Sequence, residues 1–187
     1  DPQQGEIVRR LPIPDFDSAA PHHGQLHYTP DGKWIVVVTG GRPNRIEVID
    51  AELGQRRFPP LRPVIDTGYY TQLVLSDNGR WLAAAVRGNH AAQVWDLHSG
   101  KPRTAPLLHP GGELGITDLA FAADDSQLIT AHEDGQVRTW NVESGELEGK
   151  VLEHAGAVNS FVLFDNERLI AAADSIGFVT LWDRSSR

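Results

Sequence analysis

VRTWNVESG (137–145) has three partners along this chain of 187 residues: IEVIDAELG (46–54), AQVWDLHSG (92–100) and VTLWDRSS (179–186). Each is a strand-like run that ends on an acid or its amide, and the first three then enter a turn closed by Gly. With Asp50, Asp96, Asn141 and Asp183 as marks, the copies fall 46, 45 and 42 residues apart. A steady period of about 40–45 residues, with an aromatic–acid pair closing a strand, means a radial β-repeat in which the chain is laid down blade by blade.

A second mark supports the same period. Leu26, Leu73, Leu119 and Phe161 open LHYTPDGKW, LVLSDNGRW, LAFAADDSQ and FVLFDNERL, at spacings of 47, 46 and 42. Asp31-Gly32 and Asn78-Gly79 predict tight type I′ hairpins, which need positive φ at both central residues. Asp124-Asp125 and Asn166-Glu167 are weaker forms of the same turn. Apolar strands follow at WIVVVT (34–39), WLAAAV (81–86), QLITA (127–131) and RLIAAA (168–173). The marked third strands come next, and polar, Pro-containing stretches near 55–64, 101–108 and 146–152 would carry short outer strands. Four antiparallel strands per repeat make a propeller blade.

The expected fold is therefore all-β: one propeller domain over 1–187, with blades at 22–64, 65–108, 109–152 and 153–187. DPQQGEIVRRL (1–11) parallels DLHSGKPRTAPL (96–107) and NVESGELEGKVL (141–152), so residues 1–13 read as an outer strand without a blade of its own. The C-terminus has inner strands without an outer one. One end could complete the other. The four blades' worth form part of a larger ring, a small closed ring, or half of a ring shared with a second copy.

Composition narrows the function. A net charge of −8 argues against nucleic acid, because phosphate binding needs clustered Lys and Arg. No apolar run approaches the roughly 20 residues of a membrane helix, so no membrane insertion is expected. The chain has no Cys, which removes disulfides and thiolate chemistry and suits a cytoplasmic setting. It also has no Met and begins with Asp1, so the expectation is a processed product or a segment of a longer protein.

The third repeat resembles the WD-repeat β-propeller family most closely. LLHPGGE (107–113) is similar to the family's Gly-His element, and ITDLAFAADDSQLITAHEDGQVRTWN (116–141) follows it. The resemblance implies that His109, Thr130, Asp134 and Trp140 form a hydrogen-bonded line tying strands of one blade, since a buried His needs such partners. The other copies are eroded. Repeat four keeps His154 and Trp182 but has Ala172 and Ile176 in place of the hydroxyl and the acid. Repeat two keeps Trp95 and Asp96, with an extra residue in RGNHAA (87–92). Repeat one has Ile49 for Trp and looks equally like bacterial propellers with TPDGKWIVVV and IEVID strings. That style resembles bacterial repeat regions that accompany kinase or signalling NTPase domains.

Several candidate chemistries give way to plainer readings. His22, His23 and His27 do not make a metal site: neighbours on a strand point oppositely, and residues four apart lie about 13 Å apart. Pro60-x-x-Pro63 in FPPLRP (58–63) has polyproline spacing, but Pro is ordinary at an outer edge. Arg9-Arg10 and Arg56-Arg57 are charges that keep outer strands from pairing. Gly40-Gly41 and Gly111-Gly112 precede no helix and no Lys-Ser/Thr, so they are not phosphate loops. Nothing reads as catalytic, and no cofactor is implied.

What remains is a face of loops. The loops entering each blade and those between its second and third strands gather on one side. They carry His22, Arg42 and Asn44 in blade one, and Tyr69, Arg87, Asn89 and His90 in blade two. Glu133 lies in blade three, with Asn159 and Ser175 in blade four. Tyr and Arg are common interface anchors, so the expectation is a non-catalytic scaffold that holds a protein or peptide there. Self-association that completes the ring is a further expectation. The alternative is the propeller of a periplasmic enzyme or electron-transfer protein that gates or holds a cofactor.

Overall fold

The computed structural model describes residues 10–13, 25–39, 45–62, 69–87, 90–109 and 115–184. These form an all-β propeller of four antiparallel sheets, with no helix among the described residues. The first sheet is β1 (Leu26–Tyr28), β2 (Trp34–Thr39) and β3 (Arg45–Asp50). The second is β4 (Tyr69–Leu75), β5 (Trp81–Arg87), β6 (Ala91–Asp96) and β7 (Lys101–Pro102), with β8 (Leu107–Leu108) also on β6. The third is β9 (Ile116–Phe121), β10 (Gln127–His132), β11 (Gln136–Asn141) and β12 (Leu152–Glu153). The fourth is β13 (Val158–Phe164), β14 (Leu169–Asp174) and β15 (Val179–Asp183). The outer edge of the first sheet is two isolated bridges, Ile49 with Arg56 and Ile46 with Leu61.

Leu26 opens β1 as expected, whereas the other three apolar marks sit inside their strands. Leu73 lies within β4, Leu119 within β9 and Phe161 within β13, because each of these strands begins a few residues earlier on the loop side. Residues 1–9 of the expected outer strand lie outside the described residues. Residues 10–13 are not strand; Leu11 packs beside the turn at Gly54.

The two leading turns differ from the expected type I′ form. Gly32 N donates to Thr29 O, and Thr29 N donates to Trp34 O, giving a four-residue loop with Pro30 leading. Only Gly32 takes positive φ, at 68°. The Asp31 side chain is instead spent on the turn, accepting from Thr29 Oγ1 at 2.6 Å and Lys33 N at 3.1 Å. Ser76–Trp81 repeats the pattern, with Gly79 at φ 68° and Asn78 Oδ1 accepting from Arg80 N. Asp125 holds the same left-handed seat at φ 58°, and positive φ at both central residues appears only at Asn166 and Glu167 (52° and 62°) among these four. Asx side chains that bond the backbone two residues on favour the longer loop.

The acid that closes each third strand has a local task. Asp50 Oδ1 accepts from Glu52 N and Leu53 N, Asp96 Oδ1 from His98 N and Ser99 N, and Asn141 Oδ1 from Glu143 N and Ser144 N. Gly54, Gly100 and Gly145 then close the turn by donating to the carbonyl of the same acid or amide. This explains why Asn serves as well as Asp: only a side-chain acceptor is needed.

Packing between sheets follows the pleat. Side chains alternate faces along a strand, so each sheet presents one apolar face to the blade before it and one to the blade after. Val36, Val38, Ile46 and Val48 of the first sheet meet Leu73, Leu82, Ala84 and Trp95 of the second. Ala83, Ala85 and Val94 meet Leu119, Leu128 and Trp140. Ile129, Ala131 and Val137 meet Phe161, Ile170 and Ala172. Three such cores join four sheets in sequence.

Polar ties reinforce them. In the second and fourth sheets, an amide on the first strand's edge is met from the preceding blade. Gln25 Oε1 accepts from Leu73 N at 2.9 Å, and Asp118 Oδ2 accepts from Phe161 N at 3.0 Å. Asp118 Oδ1 also accepts from Gln72 Nε2 at 2.9 Å, so one carboxylate binds both neighbouring blades. At the hairpin ends, the Asp125 carboxylate takes Asp77 N and Asn78 N, each at 2.9 Å, and Glu167 takes Ala123 N. Asp118→Ala strands a backbone N–H and an amide donor, so urea denaturation is expected to show a loss of about 1–3 kcal/mol. A change below about 0.5 kcal/mol contradicts a bridging role.

Candidate functional site: the loop face and the polar line beneath it

The polar line lies in the third sheet. β10 and β11 pair so that Leu128 opposes Trp140 and Thr130 opposes Arg138, and the loop 133–135 joins them. His109 follows β8 and enters from the side, its N–H bonded to His90 O at 2.9 Å. His109 Nε2 lies 3.1 Å from Thr130 Oγ1, and Trp140 Nε1 donates to the same oxygen at 2.9 Å. The expected members His109, Thr130 and Trp140 therefore touch directly. Asp134 does not reach His109; it is joined through Arg138.

Arg138 is the member that sequence reasoning missed. Its guanidinium is buried, with Nη1 2.8 Å from His109 Nδ1 and Nη2 2.7 Å from Asp134 Oδ2. Gln136 Oε1 accepts from it as well. A signal was available: in QVRTWN (136–141), Arg138 shares a strand face with Trp140 and stands four residues after Asp134. A buried guanidinium demands a carboxylate, and Asp134 supplies it.

This geometry sets the tautomer. Arg has no acceptor, so His109 Nδ1 must be the unprotonated nitrogen and Nε2–H donates to Thr130. Burial, with the Arg138 charge and then His132 behind it, pushes the His109 pKa down to about 3. His132 stacks on His109 at 4.8 Å between ring centroids, with its Nδ1 3.0 Å from Asp134 Oδ1. Burial would raise the Asp134 carboxyl, but the hydrogen bonds from Arg138 and Gln136 N outweigh it and hold the pKa below its usual value.

The fourth blade solves the same problem differently. With Ala172 in the hydroxyl's place, Trp182 Nε1 donates straight to His154 Nε2 at 2.9 Å. The acceptor nitrogen is therefore Nε2, the reverse of His109. His154 Nδ1 looks toward Asp174 Oδ2 at 3.9 Å, and burial lowers the His154 pKa. Asp174 is itself occupied by Ile176 N and Phe178 N, standing in for the acid that Ile176 does not provide.

Above the line lies the loop face. Tyr69 and Arg87 are backbone partners at one end of the second sheet, next to His90, which has φ 49°. Exposed Glu133 lies at the same end of the third sheet, where its Oε2 accepts from Gly115 N at 2.8 Å. In the fourth sheet, Asn159 is exposed near the start of β13, and exposed Ser175 donates its N–H to Ala157 O. Antiparallel pairing puts strand starts and second-to-third loops on one side, so these six share a face. His22, Arg42, Asn44 and Asn89 lie outside the described residues. The described residues hold no group of three or more His, Asp or Glu arranged for a metal, and His27 is a half-buried strand residue whose pKa burial lowers.

Residues 106–141 match the family model described as "WD domain, G-beta repeat". Over this stretch the chain is similar to a WD repeat. The stretch holds the whole line His109, Thr130, Asp134, Trp140. The chain is similar to Target of rapamycin complex subunit wat1 of Schizosaccharomyces pombe (28% identical over 113 residues, 60% of this chain and 34% of that protein). It is also similar to Protein LST8 homolog of Drosophila melanogaster (28% over 162 residues, 83% of this chain and 49% of that one). WD repeat-containing protein 55 of Homo sapiens is 37% identical over 67 residues, 35% of this chain and 17% of its own length. The match thus spans at most about half the length of these relatives. All three are eukaryotic, so they lend nothing to the bacterial likeness of the first repeat. Among solved structures, the computationally designed Ika4 protein superposes with a TM-score of 0.63 at 20% identity, covering 87% of this chain and 93% of that one. It shares the fold.

The buried neutral His gives the third blade a pH signature. Because the folded pKa of His109 lies below its ordinary 6.5, the unfolded chain takes up the proton first as pH falls. Its contribution is present above pH 6.5 and is lost between about 6.5 and 3, at up to about 1.4 kcal/mol per pH unit. The urea midpoint of His109→Gln is expected to fall less steeply than that of the unaltered chain across this window. Parallel slopes contradict the assignment.

Proposed function

We propose that this chain is a non-catalytic scaffold that holds a protein or peptide on its loop face, in the cytoplasm. The observation that carries the reading is the convergence of Tyr69, Arg87, His90, Glu133, Asn159 and Ser175 at one end of three packed sheets. Loops fixed by a rigid framework are where recognition is usually placed. The polar line supports that rigidity: it clamps the strands on either side of the loop 133–135, and Glu133 spans to Gly115.

The relatives support the same class. One is by name the subunit of a complex, and a propeller of interaction type would serve that role here. The net charge of −8 favours a protein partner over nucleic acid. A narrower form of the proposal places the chain beside a kinase or signalling NTPase domain in a bacterial protein, resting on the TPDGKWIVVV and IEVID strings alone. The alternative of a cofactor-gating periplasmic propeller draws no support from these relatives.

A peptide array probed with the chain, followed by titration of the strongest peptide, tests the loop face. Tyr69→Ala and Glu133→Ala are each expected to weaken that peptide at least tenfold, about 1.4 kcal/mol. Binding unchanged in both variants sinks the loop-face site.

A further inference from the structure

The three junctions between blades share one seat, where a residue from the outer edge of one blade meets the next blade. Register identifies it. Arg57 N, Arg103 N and Glu148 N each donate to the third strand of their own blade, at Val48 O, Val94 O and Thr139 O. The residues that follow are Phe58, Thr104 and Gly149. Phe58 packs with the core of the first junction, and a Cβ on Gly100 of the next blade would stand 2.6 Å from its ring. Thr104 is 6% exposed, and its Cβ would lie 3.3 Å from one built on Gly145. Gly149 supplies no side chain, and a Cβ on it would meet nothing within 4 Å. It takes φ 74°, where side chains are disfavoured, so the gap is fixed by the backbone.

The flank of the seat changes with it. Arg57 stacks on Trp34 and Arg103 on Trp81, at 4.3 and 5.5 Å from guanidinium carbon to ring centroid. In the same register the third blade has Glu148 and Gln127, which cannot form such a stack. The result is a cavity of about 590 Å³ between the third and fourth blades. Its floor is Leu152, Ile170 and Trp182, the counterparts of Leu61, Leu82 and Trp95 in the core where Phe58 lies. Trp182 Nε1 already donates to His154 Nε2, and Arg184 already ties Gln127 Oε1 to Glu167 O. The floor therefore offers apolar surface and the face of an indole ring.

We propose that this cavity receives an aromatic side chain carried on an extended segment of a partner protein. The chain's own first junction names the occupant, because the same three floor positions there accommodate a phenylalanine from within. Contact between a ring and Trp182 favours an aromatic side chain over an aliphatic one, and aromatic anchors in small pockets carry much of an interface's binding energy. Exposed Glu148 and Lys150 at the mouth have opposite signs, so recognition rests on the ring rather than on charge. The cavity lies at the rim, toward the hairpin ends, and stands apart from the loop-face reading.

The test is an NMR titration of the nitrogen-labelled chain with the uncharged peptide acetyl-Phe-Pro-Pro-Leu-amide, which copies residues 58–61. Saturable shifts of the Trp182 indole N–H and of the Thr139 and Gly149 amides are expected. A peptide with Ala in place of its Phe should bind at least about tenfold more weakly. Thr139→Phe, which places a ring in the cavity from its own wall, should abolish the shifts. Gly149→Asn is a milder variant that tolerates the left-handed backbone and should weaken binding at least about threefold. Tyr69→Ala should leave the affinity unchanged, which separates this site from the loop face. Absence of shifts at millimolar peptide overturns the proposal. So do shifts that the Ala peptide reproduces, that persist in both cavity variants, or that fall on the loop face instead.

Discussion

Everything in this molecule depends on a simple constraint: a propeller blade is apolar on both faces and draws most of its stability from the blades packed against it. At roughly 25 cal/mol per Å² of buried apolar surface, a contact between two sheets outweighs any single hydrogen bond within them. The stacking of Val36, Val48, Leu73 and Trp95, and its two repetitions, is therefore what holds the chain together. Each interface involves only nearest neighbours, as in other repeat proteins. Polar side chains then set how one sheet stands against the next: Gln25 and Asp118 at the free strand edges, Asp125 and Glu167 at the hairpin ends.

The buried polar line is a consequence of that packing. A His brought in beside a Trp-bearing strand loses water on all sides and must find partners at its own level. In the third blade the partners are Thr130 and Arg138, and they dictate a neutral ring protonated at Nε2. In the fourth blade the hydroxyl is missing, and the Trp182 N–H takes its place with the opposite ring nitrogen as acceptor. Two rings in matching places thus hold opposite tautomers because of one substitution, Thr130 against Ala172. Both leave the loop above them braced.

The architecture was legible because it is periodic. A run such as VRTWNVESG recurs with its capping Asp or Asn and its closing Gly, and the structure assigns each a bond or a positive φ. The turns were read less well. Asp31-Gly32 and Asn78-Gly79 look like two-residue hairpins in isolation, but Thr29 and Ser76 draw the Asx side chains into a longer loop. Asp134 was legible as a partner in the line, while Arg138 was not, since a charged residue on a strand reads as exposed until its face is known. Gln25 and Asp118 carry no signal within one repeat; only stacking of blades shows that their side chains meet the next strand's amides. The loop face rests on topology, with His22, Arg42, Asn44 and Asn89 outside the described residues.

The central claim is an array of four blades joined in sequence by three shared cores, with the fourth sheet's outward residues Val162, Val179 and Leu181 exposed. Hydrogen exchange read by mass spectrometry, at a dilution that keeps copies apart, tests it most directly. Protection is expected to be highest in β5 and β10, which are flanked by blades on both sides, and to fall off in β1 and across β14 and β15. Protection in β14 and β15 equal to that in β5 and β10 would contradict the account, because the fourth sheet's outward face would then be as well covered as the inner ones.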